Sequence, residues 1–94
     1  MDKKSVALYP LIGFPIEVVK SSCREFEGVK GKTVDEKKNI IVIEHNGKEK
    51  RIPKNSCVFR VEYAKGEKVD IKGKGIMHRP EEKIKNVKLG DVYL

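Results

Sequence analysis

The dipeptide Asn46-Gly47 constrains this chain more than any other feature, because of what stands on either side of it: Asn39-Ile40-Ile41-Val42-Ile43-Glu44-His45 before, Lys48-Glu49-Lys50-Arg51-Ile52 after. A two-residue type I′ turn needs positive φ at both central positions, and Asn-Gly is the pair that meets this most easily. Two strands joined in that way lie side by side and antiparallel. An isolated hairpin is marginal in water, so further strands must cover its apolar face. An antiparallel sheet is therefore predicted, with the β-branched run Ile40–Ile43 as its central strand, buried on much of both faces.

The flanking sequence supplies the other strands. Phe14, Ile16 and Val18 alternate with Pro15, Glu17 and Val19, giving a first strand over 14–20 after a lead-in punctuated by Pro10 and Gly13. Ser21 to Gly28 is polar and reads as a loop anchored by Phe26. Val29, Gly31 and Thr33 alternate with lysines, and the glycine allows the bend that a small barrel needs at a corner. A turn over 36–39 leads into the hairpin. Pro53 and Asn55 end it. Cys57, Phe59, Val61 and Tyr63 then face one way, with Arg60 and Glu62 facing the other. After the turn Ala64-Lys65-Gly66-Glu67, Val69 and Ile71 point inward, with Lys68, Asp70 and Lys72 outward.

The hairpin's returning arm left uncounted, five strands in about sixty residues, with glycine-rich turns, predict a mainly β fold: a small Sm-like or SH3-like antiparallel β-barrel, since closure removes exposed edges. From Pro80 the pattern becomes helical, with Glu81 and Glu82 at the positive end, Ile84, Val87 and Leu89 on the apolar side, and Lys83, Lys85 and Lys88 toward solvent. The expected organisation is a flexible or partly helical extension over 1–12, the barrel over 13–77, and a basic helix or tail over 78–94.

With 94 residues there is room for one core, and 21 Lys+Arg against 14 Asp+Glu leave a formal charge of +7. Nearly all of that excess lies in residues 45–94. It favours a polyanionic partner, though a lysine-rich surface also serves solubility. No apolar run approaches the roughly 18 residues of a membrane span, and the N-terminus lacks a signal-peptide core, so a cytoplasmic protein without a membrane partner is expected. Cys23 and Cys57 form no CxxC pair and read as reduced structural thiols. His45 and His78 lack neighbours at ligand spacing, and no nucleotide-binding glycine signature is present, so neither a metal site nor catalytic residues are assigned.

What remains is a set of cations: Lys48, Lys50, Arg51, Lys54 and Arg60, followed by Lys72, Lys74, Arg79, Lys83 and Lys85. These are phosphate ligands if the partner is nucleic acid, and a solvated face otherwise. Aromatic residues make up 6% of the chain, without tryptophan, so base stacking is not expected and any grip should be on backbone and shape. Leu8, Tyr9, Leu11 and Ile12 are candidates for docking a second protein; alternatively they pack over one end of the barrel.

In the order Leu11-Ile12-Gly13, Gly28-Val29-Lys30-Gly31, Val34-Asp35-Glu36, Asn39-Ile40-Ile41-Val42-Ile43, Lys50-Arg51-Ile52-Pro53-Lys54, Val58-Phe59-Arg60 and Arg79-Pro80-Glu81 with Lys83 and Lys85, the chain resembles the archaeal ribonuclease P protein component 1 family. The eukaryotic counterpart is the Pop4 type of subunit. The match spans about residues 11–85. It departs at Lys83, where arginine is the more usual residue and a forked contact would be weakened, and at Gly73-Lys74-Gly75, which loosens the approach to Arg79.

The resemblance implies a Sm-like barrel that binds the ribonuclease P RNA and pairs with a zinc-ribbon protein subunit, to which any zinc would belong. It further implies that the RNA, using Mg2+, removes the 5′ leader of precursor tRNA, while the protein binds no cofactor and is not an enzyme by itself. Removing charge at Lys50, Arg51, Arg79 or Lys83 should then lower RNA affinity and leave the fold intact. Rival readings are a DNA-binding SH3-like chromatin protein and a KOW-type ribosomal protein.

Overall fold

A computed structural model describes residues 2–93. Its sheet comprises β1 (Pro15–Ser21), β2 (Lys30–Glu36), β3 (Ile40–His45), β4 (Lys48–Pro53), β5 (Cys57–Ala64) and β6 (Glu67–Lys72), all antiparallel, in the order β4-β3-β2-β1-β5-β6. Six strands is one more than the sequence count, because the returning arm of the hairpin is a strand in its own right. The hairpin forms as predicted: Asn46 has φ 51° and Gly47 φ 80°, and pairing runs from His45↔Lys48 to Ile40↔Pro53.

The place of β3 differs from expectation. β3 is not central but lies second from the edge; β2 and β1 occupy the middle. Its apolar run is nevertheless buried at three consecutive positions, Ile41, Val42 and Ile43. Burial of a strand on both faces reports what covers it, not where it stands in the order of pairing.

Register shifts curl the sheet into a barrel-like shell, at Thr33/Asp35 between β2 and β3, at Val18/Lys20 between β1 and β5, and at Glu62/Ala64 between β5 and β6. At Gly31 the strands approach so closely that a Cβ would collide with the Glu44 carbonyl oxygen, and only glycine permits the contact. Inside the curl lie Ile16, Val18, Ile41, Ile43, Ile52, Phe59, Val61 and Ile71. No ladder joins β4 to β6 among the described residues. The gap between them is closed by two 3-10 turns, Lys54–Ser56 and Gly73–Ile76, packed so tightly that a Cβ on Gly73 would strike the Lys54 carbonyl.

Both ends of the chain pack on this shell. A 3-10 turn over Lys3–Leu8 places Val6 and Ala7 in the core beside Leu11. Near the other terminus, Tyr93 bridges to Ile71, and its hydroxyl donates to the Lys4 carbonyl (2.7 Å) and accepts from the Ala7 N–H (3.2 Å). The C-terminal helix is short, α1 (Lys83–Asn86), and two of its side chains exchange the places predicted for them, while Lys85 and Lys88 are exposed and Val87 packs on the core as expected. Lys83 is 0% exposed and Ile84 62% exposed.

Candidate nucleic-acid interface

The cations expected to bind phosphate divide into two groups, and the first is buried. Glu36, at the end of β2, points inward at 4% exposure and needs compensation there. Lys54, in the turn after β4, donates to Glu36 Oε2 at 2.9 Å. Lys83, at the start of α1, donates to Oε2 at 2.9 Å and to Oε1 at 3.1 Å. Backbone groups add to the site: the Leu11 N–H donates to Oε1 at 2.8 Å, and Lys54 Nζ also donates to the carbonyls of Ile76 (2.9 Å) and His78 (3.2 Å).

One carboxylate thus gathers the N-terminal segment, the strand-end turn, the stretch before α1 and α1 itself. Burial pulls both lysines below their ordinary pKa; Glu36 opposes that shift for each, and the neighbouring Lys54 adds to it for Lys83. Two of the predicted RNA ligands are therefore corrected. Lys54 and Lys83 are 0% exposed and internally paired, out of reach of an RNA phosphate. The partner-docking candidate Leu11 is corrected in the same way, since its side chain is fully buried in the core. Leu8 is half-buried, while Tyr9 and Ile12 are exposed.

The second group reaches solvent. Lys48, Lys50 and Arg51 are exposed along the edge strand β4; alternation puts Lys48 and Lys50 on the same face as Ile52, with Arg51 opposite. Arg79 and Lys85 are exposed on either side of the turn Pro80–Glu82. Arg60 is exposed but already engaged: its Nε and Nη2 donate to the two Asp70 oxygens at 2.8 and 3.0 Å, and Asp70 holds its pKa above the ordinary value. Lys72 and Lys74 line a groove at the β1–β5–β6 end of the sheet, together with Lys20, Ser21, Ser22, Asn55, Ser56 and Val58. Among the described residues, no three His, Cys, Asp or Glu side chains converge as a metal site would require.

Comparison with known proteins decides the family. The model for "Ribonuclease P/MRP, subunit p29" matches residues 4–86. The chain belongs to the ribonuclease P/MRP subunit p29 family. It is 42% identical over 82 residues to the ribonuclease P protein component 1 of Methanosphaera stadtmanae, covering 87% of this chain and 88% of that one. Against the component 1 of Methanocaldococcus jannaschii it is 40% identical over 82 residues, covering 86% and 85% of the two chains. Its fold is similar to the solved structure of Mth11, described as a homologue of human RNase P protein Rpp29, with TM-score 0.60 and 37% identity over 79% of this chain and 96% of that one.

Within this p29-family fold, sequence reasoning misses Lys20. Alternation makes it the last residue of a strand, and nothing in that pattern announces the register shift that turns it outward. Sequence reasoning also places Lys83 on the wrong face of its helix, although a signal is present. Lys83 and Val87 stand four apart and so share a face, and Val87 packs on the core.

Proposed function

We propose that this chain is a non-catalytic, RNA-binding protein subunit of ribonuclease P, and that it supports removal of the 5′ leader from precursor tRNA by stabilising the catalytic RNA. The observation that carries the reading is the set of exposed or half-exposed cations on the family fold, Lys48, Lys50, Arg51, Lys72, Lys74, Arg79 and Lys85. None of them is ion-paired among the described residues. Cations held on a rigid shell and unmatched by carboxylates reduce repulsion between RNA phosphates that fold against one another.

In this reading the RNA and its Mg2+ ions carry out phosphodiester hydrolysis, and precursor tRNA meets the protein only indirectly. A zinc-ribbon subunit of the same enzyme is the protein partner and brings its own zinc. Exposed Tyr9 and Ile12 offer it an apolar surface, beside the half-buried Leu8. The complex works in the cytoplasm; among the described residues no helix is long and apolar enough to cross a membrane.

The test is cleavage of precursor tRNA by the ribonuclease P RNA while magnesium is titrated, with the zinc-ribbon partner present throughout and this protein either added or omitted. The expected outcome is a lower magnesium requirement only when this protein is added. Coincident curves with a folded protein and a competent RNA would contradict the assignment, and duplex-DNA or ribosome binding would then be examined.

A further inference from the structure

The strand registers show where the outer face of the sheet is neutralised and where it is not. Across β1, β5 and β6, one outward row reads Glu17–Arg60–Asp70, a cation between two carboxylates. The next row reads Lys20–Val58–Lys72, two cations flanking a half-buried valine. That second row depends on the register shift. Val18 pairs with Phe59 and Lys20 with Val58, so Val19 is the extra residue of a bulge. In unbroken register Lys20 would sit opposite Cys57, whose side chain is buried, and would point toward the core. The bulge turns it out to stand beside Val58.

We propose that this row is the floor of a groove that binds the phosphodiester backbone of folded RNA, a site that rests on the RNA-binding reading above and gives it a location. Lys20 and Lys72 stand on strands two spacings apart, about 10 Å, on either side of Val58. Lys74, Ser22 and Asn55 line the same groove and add donors, and Asp91 is the one carboxylate that lines it among the described residues. The Ser22 N–H is tied to the Ser56 carbonyl at 3.0 Å, which fixes that wall. Among the described residues none of the three lysines is ion-paired.

The chemistry favours RNA over an acidic protein segment. Protein interfaces are enriched in aromatic residues and arginine and depleted in lysine, whereas this groove sets three lysines, hydroxyls and an amide around an apolar floor that includes Val19 and Val58. With neither an aromatic ring nor an arginine among the described residues of its lining, the groove has no platform for bases. It holds phosphate and ribose with little regard to sequence.

The test uses the full chain and an in vitro transcript of ribonuclease P RNA, with affinity measured over a range of KCl concentrations. The double variant Lys20→Gln/Lys72→Gln should keep the thermal unfolding profile of the unaltered protein. It should lower the slope of log K against log salt by about 1.5, at roughly 0.7–0.9 for each phosphate no longer neutralised. Val58→Glu, which sets a negative charge in the floor, should weaken binding further. A comparator, Lys48→Gln/Lys50→Gln on β4, separates the two levels of the claim. If the comparator lowers the slope and neither groove variant does, the groove is overturned while the RNA-binding reading stands. If the unaltered protein shows no salt-dependent binding, both fall. If the groove variants lose binding to polyglutamate but not to RNA, the site is a protein-docking surface and the proposal is wrong.

Discussion

Lys54 and Lys83 each end 2.9 Å from the same Glu36 oxygen in the interior, whereas the exposed Lys20 and the half-exposed Lys72 stand on the outer face on either side of Val58. The residue type is the same in both regions, and the difference lies in what each local fold supplies around it. Near Glu36 a buried carboxylate and two backbone carbonyls take the ammonium groups out of water; on the outer sheet no carboxylate stands in the row, and the charge stays available. A buried lysine without such partners would be neutral or the segment would not pack. Placement against carboxylates, more than the number of lysines, decides which cations can meet phosphate.

The largest effect expected from this comparison is at Glu36. Glu36→Gln leaves two buried ammonium groups without their counter-charge and should destabilise the fold by about 3–5 kcal/mol, read by urea denaturation. Lys83→Met keeps the Lys54–Glu36 pair and replaces a surplus cation with an apolar chain, so its cost should be less than about half of that. Equal costs for the two variants would break the comparison, since Glu36 would then not be the hub.

A smaller effect sharpens it. Burial sets the folded pKa of Lys54 and Lys83 below 10.5. In the window between the folded value and 10.5, the unfolded chain holds more protons than the folded one, so this site adds stability as pH rises and loses it as pH falls through the folded pKa. The gap in stability between the unaltered protein and Lys83→Met should therefore shift in favour of the unaltered protein on going from about pH 8 toward 10.5, followed by denaturation at each pH. A shift in the opposite direction would mean that the ion pair, not burial, dominates at Lys83.

The features legible in the sequence are those with local causes. Asn46-Gly47 specifies its turn by backbone conformation alone, and the alternation Cys57, Phe59, Val61 against Arg60, Glu62 names the inward face of β5 without knowledge of its neighbours. The position of β3 in the sheet is not legible, because strand order is settled by which edges meet in space. Nor is the fate of Lys54, and for Lys83 the one local trace is its four-residue spacing from Val87, which names the face but not the partner. The carboxylate that buries them stands 18 and 47 positions earlier, and lysine in a turn or on a short helix ordinarily reads as solvated. Lys20 escapes for a third reason: a single extra residue in the ladder reverses the face of whatever follows it.

The most direct test of this division is lysine acetylation of the native protein, read residue by residue by mass spectrometry, alone and in complex with ribonuclease P RNA. The account predicts that Lys54 and Lys83 stay unmodified in both states. Lys20, Lys48, Lys50 and Lys72 should be modified in the free protein and protected by RNA. Modification of Lys54 and Lys83 in the folded protein together with their protection by RNA, or no protection at the four surface lysines, would contradict it.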